Sequence, residues 1–409
     1  MLKLKEYIAE EKNVHMEHLE DLVFNGGVEG TRQAINFLRD LRDMLAGHSK
    51  TKITATVKWD GAPAIFAGID PRDGKFFVAK KGVFNKDPKV YKTHKDIDLD
   101  TSGDLAAKLK IALTEFKKLG IKSGVYQGDL MFTKADLKKV KIDEVDYITF
   151  HPNTIVYAVP ASSELAAKIK RAAIGVVWHT TYTGSSFETM KASFGKPIAS
   201  TMSHIPSVWM DDANYKDYSG TATFTAAETK VVTDKLSELG KLFQSMKAPT
   251  LNAISSDPDL LMLVKTYNNS KVREGVQLEP RAHVRGLFDW IYARFQKDID
   301  TKKTEKGKAS VEEKRKKIMA FFANHDQEEI VRIFEISNML AEVKAMIIAK
   351  MNQAGHINTF VKTTSGFKAT GVEGFVAIDH LTGGAVKIVD RMEFSKNNFS
   401  AEILKGWQR

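Results

Sequence analysis

Hydrophobic positions fall along this chain in three regimes. Between residues 1 and 48, Ala34, Ile35, Leu38, Leu41 and Leu45 recur at three- and four-residue spacing, the period that builds one face of a helix. Gly26, Gly27 and Gly30 precede that face and Thr31 and Arg32 fall in its first turn. An anion could sit at such a helix start, but a glycine-rich turn leading into the helix is the simpler reading. From 52 to 180 the period shortens: the runs 53–57, 64–67, 76–79, 125–126, 148–150, 155–159 and 174–178 are rich in β-branched and aromatic residues and predict strands. Asp70-Pro71-Arg72-Asp73-Gly74 is a hairpin-type turn between two of them. Helices are expected at 104–119 and 163–172. From about 225 to 353 the pattern is helical throughout, and strands return at 371–378 and 385–389.

These regimes predict an α+β protein. Its strands should be antiparallel, because most connections are too short for parallel crossovers. The expected organisation is an N-terminal helical segment (1–50), a first β-rich part (51–200), a helical insertion (201–360) and closing strands (361–409).

Composition narrows the chemistry. At 409 residues the chain can bury a full core, and with no cysteine it excludes disulfides, thiolate metal sites and cysteine nucleophiles. Its N-terminus is charged throughout, and no stretch approaches the apolar length of a membrane span, so a cytoplasmic protein without a membrane partner is expected. A net charge of +10 favours polyanions such as nucleic acid at low salt, although a generic lysine-rich surface accounts for it equally well. Residues 302–317, bounded by Lys302 and Lys317, hold eight basic and three acidic side chains; they could contact phosphates, although a solvated helical face is the plainer reading.

The most informative letters are Lys58-Trp59-Asp60-Gly61, directly after the predicted strand ending at Val57. A lysine that attacks phosphorus must lose its proton, which desolvation or neighbouring cations promote. Lys80 and Lys81 end another strand just before Gly82 and could place ammonium groups beside a phosphate chain. In Gly124 to Phe132 an apolar strand delivers one carboxylate, Asp129. Such a group is costly to bury unless paired, so a ribose hydroxyl or a metal-water shell is a natural partner. Glu373 enters a second apolar strand, and Lys387 sits inside the apolar run Ala-Val-Lys-Ile-Val. Acids of this kind can bind Mg²⁺ or a sugar while lysines neutralise phosphate oxygens.

The order Lys-x-Asp-Gly, basic-glycine turn, Tyr-x-Gly-Asp-Leu, aromatic-bearing strand, Glu-Gly-Phe-Val and apolar-flanked lysine resembles the covalent nucleotidyltransferase superfamily of ATP-dependent polynucleotide ligases and RNA-capping enzymes. The chain also looks like ligase-like proteins of large tailed bacteriophages, which would place it in the host cytoplasm. The resemblance implies an ATP-grasp-like ligase core of antiparallel sheets interrupted by a large helical insertion. It implies that Lys58 accepts AMP, that Asp60 and Gly61 shape its turn and with Val57 adjoin the nucleotide, and that Lys80 and Lys387 bind phosphate. By the same likeness Asp129 and Glu373 contact ribose and metal, and Tyr157 or Trp178 lies under the base. ATP, with Mg²⁺ or Mn²⁺, is the implied cofactor set, and a nucleic-acid 5′-phosphate, RNA rather than DNA, the implied acceptor.

The pattern departs from the family in three places. Asp129 stands for a glutamate, Val389 for a second lysine that Arg391 could replace, and 244 residues separate Asp129 from Glu373. Only 22 residues follow Lys387, too few for the C-terminal OB-fold of DNA ligases and capping enzymes, which favours an RNA-ligase-like relative. A fold that binds nucleotide or nucleic acid without turnover, or one that transfers AMP to another acceptor, is the alternative. No phosphate loop, serine nucleophile elbow or dinucleotide-binding glycine turn is present. Asp96, Asp98 and Asp100 begin like a calcium loop, but Ala107 occupies the position of its glutamate. His15 and His18 could share a metal on a helix, yet no further ligand set is visible and surface histidines are the plainer reading.

Overall fold

The structure, a computed structural model, describes residues 16–48, 53–218, 220–277, 279–355, 357–379 and 384–407; His15 lies outside them. Three sheets form the β-rich body. The smallest joins β1 (Ile53–Lys58), β13 (Gly374–Asp379) and β14 (Ala385–Ile388). A central sheet is ordered β10-β8-β4-β2-β3, with β9 on the far end of β8. Its strands are β2 (Ala64–Ile69), β3 (Phe76–Ala79), β4 (Val125–Thr133), β8 (Ile174–Thr183), β9 (Lys191–Phe194) and β10 (Val208–Asp212). The third sheet runs β12-β11-β7-β6-β5, from β5 (Lys138–Ile142), β6 (Val145–Phe150), β7 (Ile155–Pro160), β11 (Asn358–Thr363) and β12 (Gly366–Ala369), with β15 (Ile403–Leu404) on β11. Among the described strand pairs all are antiparallel except β8 with β10.

The helices are α1 (Leu22–Leu45), α2 (His94–Asp100), α3 (Gly103–Phe116), α4 (Glu164–Arg171), then α5 (Ala226–Ser245), α6 (Ala248–Ser256), α7 (Pro258–Glu274), α8 (Pro280–Asp300), α9 (Glu305–Asn324), α10 (Gln327–Met351) and, near the C-terminus, α11 (Arg391–Phe399). Caps mark several starts. Thr225 and Glu228 form a reciprocal capping box on α5, and Asp326 accepts the Glu328 N–H at the head of α10. The helix of the N-terminal segment does not stand apart. Leu38 and Leu41 of α1 share one apolar core with Leu239 of α5, Ile333 and Leu340 of α10, and Phe375 and Ala377 of β13.

The three glycines ahead of the expected first helix lie inside it. α1 is kinked at Gly27, which takes φ +51°, and a Cβ there would stand 2.2 Å from the Asn252 side chain of α6. Asn252 accepts the Val28 N–H at 3.0 Å, replacing a helical bond lost at the kink. The glycines therefore serve a helix crossing. The aspartates of the calcium-loop lookalike also have local work: Asp96 caps α2 with Thr93, and Asp100 receives Lys80, Lys89 and Tyr91.

Candidate functional site

Cross-strand register places the candidate residues. In the small sheet Lys58 pairs with Gly374, and Thr56 pairs with Val376, which pairs in turn with Lys387. Side chains directly opposite share a face, and residues two apart on one strand do so as well. Lys58, Thr56, Val376 and Lys387 therefore point to one side. Facing them, the central sheet presents the row Phe66, Gln127, Thr180 and Phe194, and beside it Ala64 opposite Asp129. Between the two sheets lies a cleft of about 540 Å³, lined among others by Lys58, Lys81, Gln127, Asp129, His179 and Phe194.

Lys58 ends β1 with its ammonium group in an ion pair with Glu373, whose side chain is 10% exposed. The ammonium also lies 5.8 Å from the centre of the Phe394 ring of α11. Burial raises the Glu373 carboxyl above its ordinary value although Lys58 opposes the shift. Asp129 is held at about 8, first by burial and then by the carboxyls of Glu373 and Asp60, with Lys58 and Lys81 pulling the other way. Burial, reinforced by Lys58, lowers both the Lys387 ammonium and the His179 imidazole, the latter to about 4. His179 Nε2 stands 3.9 Å from the Asp129 carboxyl, so at neutral pH it meets Asp129 as an uncharged ring.

Asp60 and Gly61 build the turn that fixes Lys58. The buried Asp60 carboxyl accepts hydrogen bonds from Asn153 Nδ2 at 2.6 Å and from the N–H groups of Thr154 and Ile155 at 2.6 and 2.8 Å. The start of β7 is thereby bound to the residue two places after the lysine. A Cβ on Gly61 would come within 2.5 Å of the Asp129 Cβ, so only glycine lets this turn pass the carboxylate. Val57 donates its N–H to the Ala213 carbonyl at 2.6 Å and anchors β1 beside β10.

Four of the expected residues stand elsewhere or in another role. Tyr157 is 1% exposed, stacks between Trp59 and Phe150, and accepts the Asp60 N–H on its hydroxyl at 2.7 Å. It props the turn and offers no free ring face to a base. Trp178 is wholly buried against Phe116 on the opposite side of the central sheet. The reason is a bulge: Gln127 pairs with Thr180 but Gly128 with Trp178, so β8 spends an extra residue, His179, at this point. Thr180 and Tyr182 then face the cleft while Trp178 faces the core. Lys80 is bound to Asp100 at 3.0 Å, and it is Lys81 that reaches the cleft. Arg391 is committed to Asp21 at 2.8 Å and to Asn269, so it does not replace the lysine missing at Val389, which is itself buried.

His179 and Phe194 were not evident beforehand. Alternation along β8 would have implicated His179 only with the bulge known, and Phe194 sits on a four-residue strand with little apolar pattern. Met16 also lines the cleft, and after it the chain runs along β14, where Lys387 donates its N–H to the Glu17 carbonyl at 2.9 Å. His18 is half-buried there and burial holds its imidazole at about 3, so it is not a surface histidine. Among the described residues no three His, Asp or Glu side chains come together as a metal cage, and no helix is long and apolar enough to cross a membrane. Mg²⁺ needs no such cage, since it commonly binds through one or two carboxylates with water and phosphate. Asp129 and Glu373 lie near enough for the Glu373 carboxyl to raise that of Asp129, and they would supply the two carboxylates of such a site once Asp129 gave up its proton and Glu373 its pairing with Lys58.

No curated protein and no solved structure matches the chain. A family model does match, over residues 13–403, and the chain accordingly belongs to DUF6267, a family of unknown function.

Proposed function

We propose that the protein is an ATP-dependent nucleotidyltransferase of RNA-ligase type, with Lys58 as the residue that carries AMP. The observation that carries this reading is the convergence of four residues from chain segments far apart in sequence: Lys58 and Asp129 line one cleft of about 540 Å³ between two sheets, Glu373 is ion-paired to Lys58, and Lys387 lies on the same face of the small sheet as Lys58. In the proposed first step the Lys58 ammonium gives its proton to Glu373, the carboxyl already paired with it. The free amine attacks the α-phosphorus of ATP, the nitrogen–phosphorus bond forms, and the bond to the β-phosphate oxygen breaks as pyrophosphate departs. Lys387 and Lys81 neutralise phosphate oxygens, and Asp129 meets the ribose or the metal. Phe194, a half-buried ring on the cleft wall, takes the base-platform role in place of Tyr157 and Trp178. Mg²⁺ or Mn²⁺ would be held by Asp129, which would give up its proton on binding, and by Glu373 until it takes the Lys58 proton, and would supply positive charge against the phosphates. A 5′-phosphate oxygen of a nucleic acid then attacks the AMP phosphorus, the nitrogen–phosphorus bond breaks, and Lys58 is regenerated. Attack by a 3′-hydroxyl on that activated end seals the strand and releases AMP.

The test is incubation with α-labelled ATP and Mg²⁺, followed by acid and base treatment of the protein. Wild-type protein should acquire an acid-labile label, lost at least a thousandfold in Lys58→Ala and reduced about a hundredfold or more in Glu373→Ala and Lys387→Ala. One observation favours a second reading, in which the cleft binds nucleotide without turnover: Val389 is buried and Arg391 is engaged with Asp21, so β14 brings a single lysine to the site. Saturable ATP binding with no covalent label on wild-type protein over a range of pH and metals would decide for that reading.

A further inference from the structure

We propose that the hairpin of α8 and α9 is a docking surface for single-stranded nucleic acid, with Phe288 and Tyr292 as stacking platforms for unpaired bases. This names the strand-binding surface, and it rests on the reading above only for the identity of the acceptor as a nucleic acid. One face of α8 carries Arg281, Arg285, Phe288 and Tyr292 at successive four-, three- and four-residue steps, which align them along one stripe. Phe288 and Tyr292 are 40% and 48% exposed, although the same helix buries Val284, Leu287 and Ile291 on the adjoining face.

Neighbours hold both rings in place. Phe288 meets the Phe322 ring of α9 edge to face at 5.3 Å between centroids. The Arg315 guanidinium sits 4.6 Å from the centre of the Tyr292 ring and is oriented by Gln296 at 2.9 Å. Fixed aromatic rings left in water, that of Tyr292 beside a cation, lose little further freedom when a base stacks on them.

Charge identifies the occupant. Residues 280–317 hold twelve basic and six acidic side chains, more than half of the chain's net +10. Lys302, Lys303, Lys306, Lys314 and Lys316 form no ion pair among the described residues. Cations along a backbone track, with rings that accept any base, form the usual arrangement for sequence-tolerant single-strand binding. A duplex would present phosphates to the lysines but no base faces to the rings.

The experiment measures anisotropy of labelled, 5′-phosphorylated 20-mers, as RNA, as DNA and as duplex, with the full chain across a salt series. Phe288→Leu/Tyr292→Leu keeps the apolar volume and should retain the thermal transition while weakening single-strand binding at least about tenfold at unchanged salt slope. Lys314→Ala/Lys316→Ala should flatten the slope of log K against log salt by about one. Duplex binding should be indifferent to the ring substitutions, and the RNA and DNA arms show which sugar is preferred. Equal single-strand affinity in the leucine variant overturns the proposal, as does absence of binding in wild-type protein or a dimer that dissociates in that variant. Lysyl-AMP formation with ATP alone does not involve the hairpin. Ring-dependent binding without a covalent label would therefore keep this inference and remove the Lys58 reading, and the reverse result would do the opposite.

Discussion

Asp129 keeps its proton near neutrality because the folded chain encloses it beside two other carboxyls, and this has a measurable consequence. The unfolded chain releases that proton at about 4, whereas the folded chain releases it at about 8. Across this window the native state binds more protons than the unfolded one, so Asp129 takes stability away as pH rises and the loss is complete above 8. Asp129→Asn removes this dependence. In urea unfolding with EDTA the variant should gain on wild type progressively from pH 5 to pH 9, by about 2 kcal/mol. The 20% exposure of the side chain keeps that figure below the full shift. Parallel stability curves would show that water already solvates the carboxylate. At this scale Lys58, Asp129, Glu373 and Lys387 could be singled out in the sequence because each is a charged residue within or beside an apolar strand. Trp178 was misleading for a local reason: a single inserted residue, His179, reverses which side chains of β8 face the cleft, and nothing in the letters announces a bulge.

The turn after β1 joins two sheets through one side chain. Asp60 offers carboxylate oxygens to Asn153, Thr154 and Ile155 at the start of β7, while its own N–H is held by Tyr157. Asp60→Asn would aim an amide N–H₂ at donors that need an acceptor, leaving at least one buried N–H unpaired. A loss of about 2 to 4 kcal/mol in urea unfolding is expected, with lysyl-AMP formation reduced even where the variant remains folded. A stability change within 0.5 kcal/mol would mean that β7 is positioned independently of the turn. Strands such as β1, β2 and β13 were visible as apolar runs because both their faces are largely covered. β5, with the sequence Lys-Lys-Val-Lys-Ile, is an edge strand exposed at three of five positions, and β12 is similarly open. Their partners, rather than their own side chains, make them strands, and a local pattern cannot reveal a partner.

Across the whole molecule, residues 16–21 connect the cleft to the helices. Their backbone hydrogen-bonds to β14 at Lys387, Glu17 pairs with Lys265 of α7, Glu20 with Lys344 of α10 at 2.6 Å, and Asp21 with Arg391 of α11. The Glu20–Lys344 pair is the informative one, since their side chains are only 8% and 3% exposed. Attraction between buried charges repays desolvation only while both partners are present. Lys344→Met should cost about 3 to 5 kcal/mol by stranding Glu20, with Arg391 3.7 Å away as partial relief. The double variant Glu20→Gln/Lys344→Met should recover to within about 1 kcal/mol of wild type, because no unpaired charge is left behind. The same pair of variants separates stability from coupling. If the strap positions β14 through this contact, the double variant will fold yet form lysyl-AMP more slowly, since Lys387 hangs from the Glu17 carbonyl only three residues before Glu20. Equal destabilisation by the single and double variants would instead show that Glu20 and Lys344 act separately, with the helices and the cleft joined only by their shared apolar core.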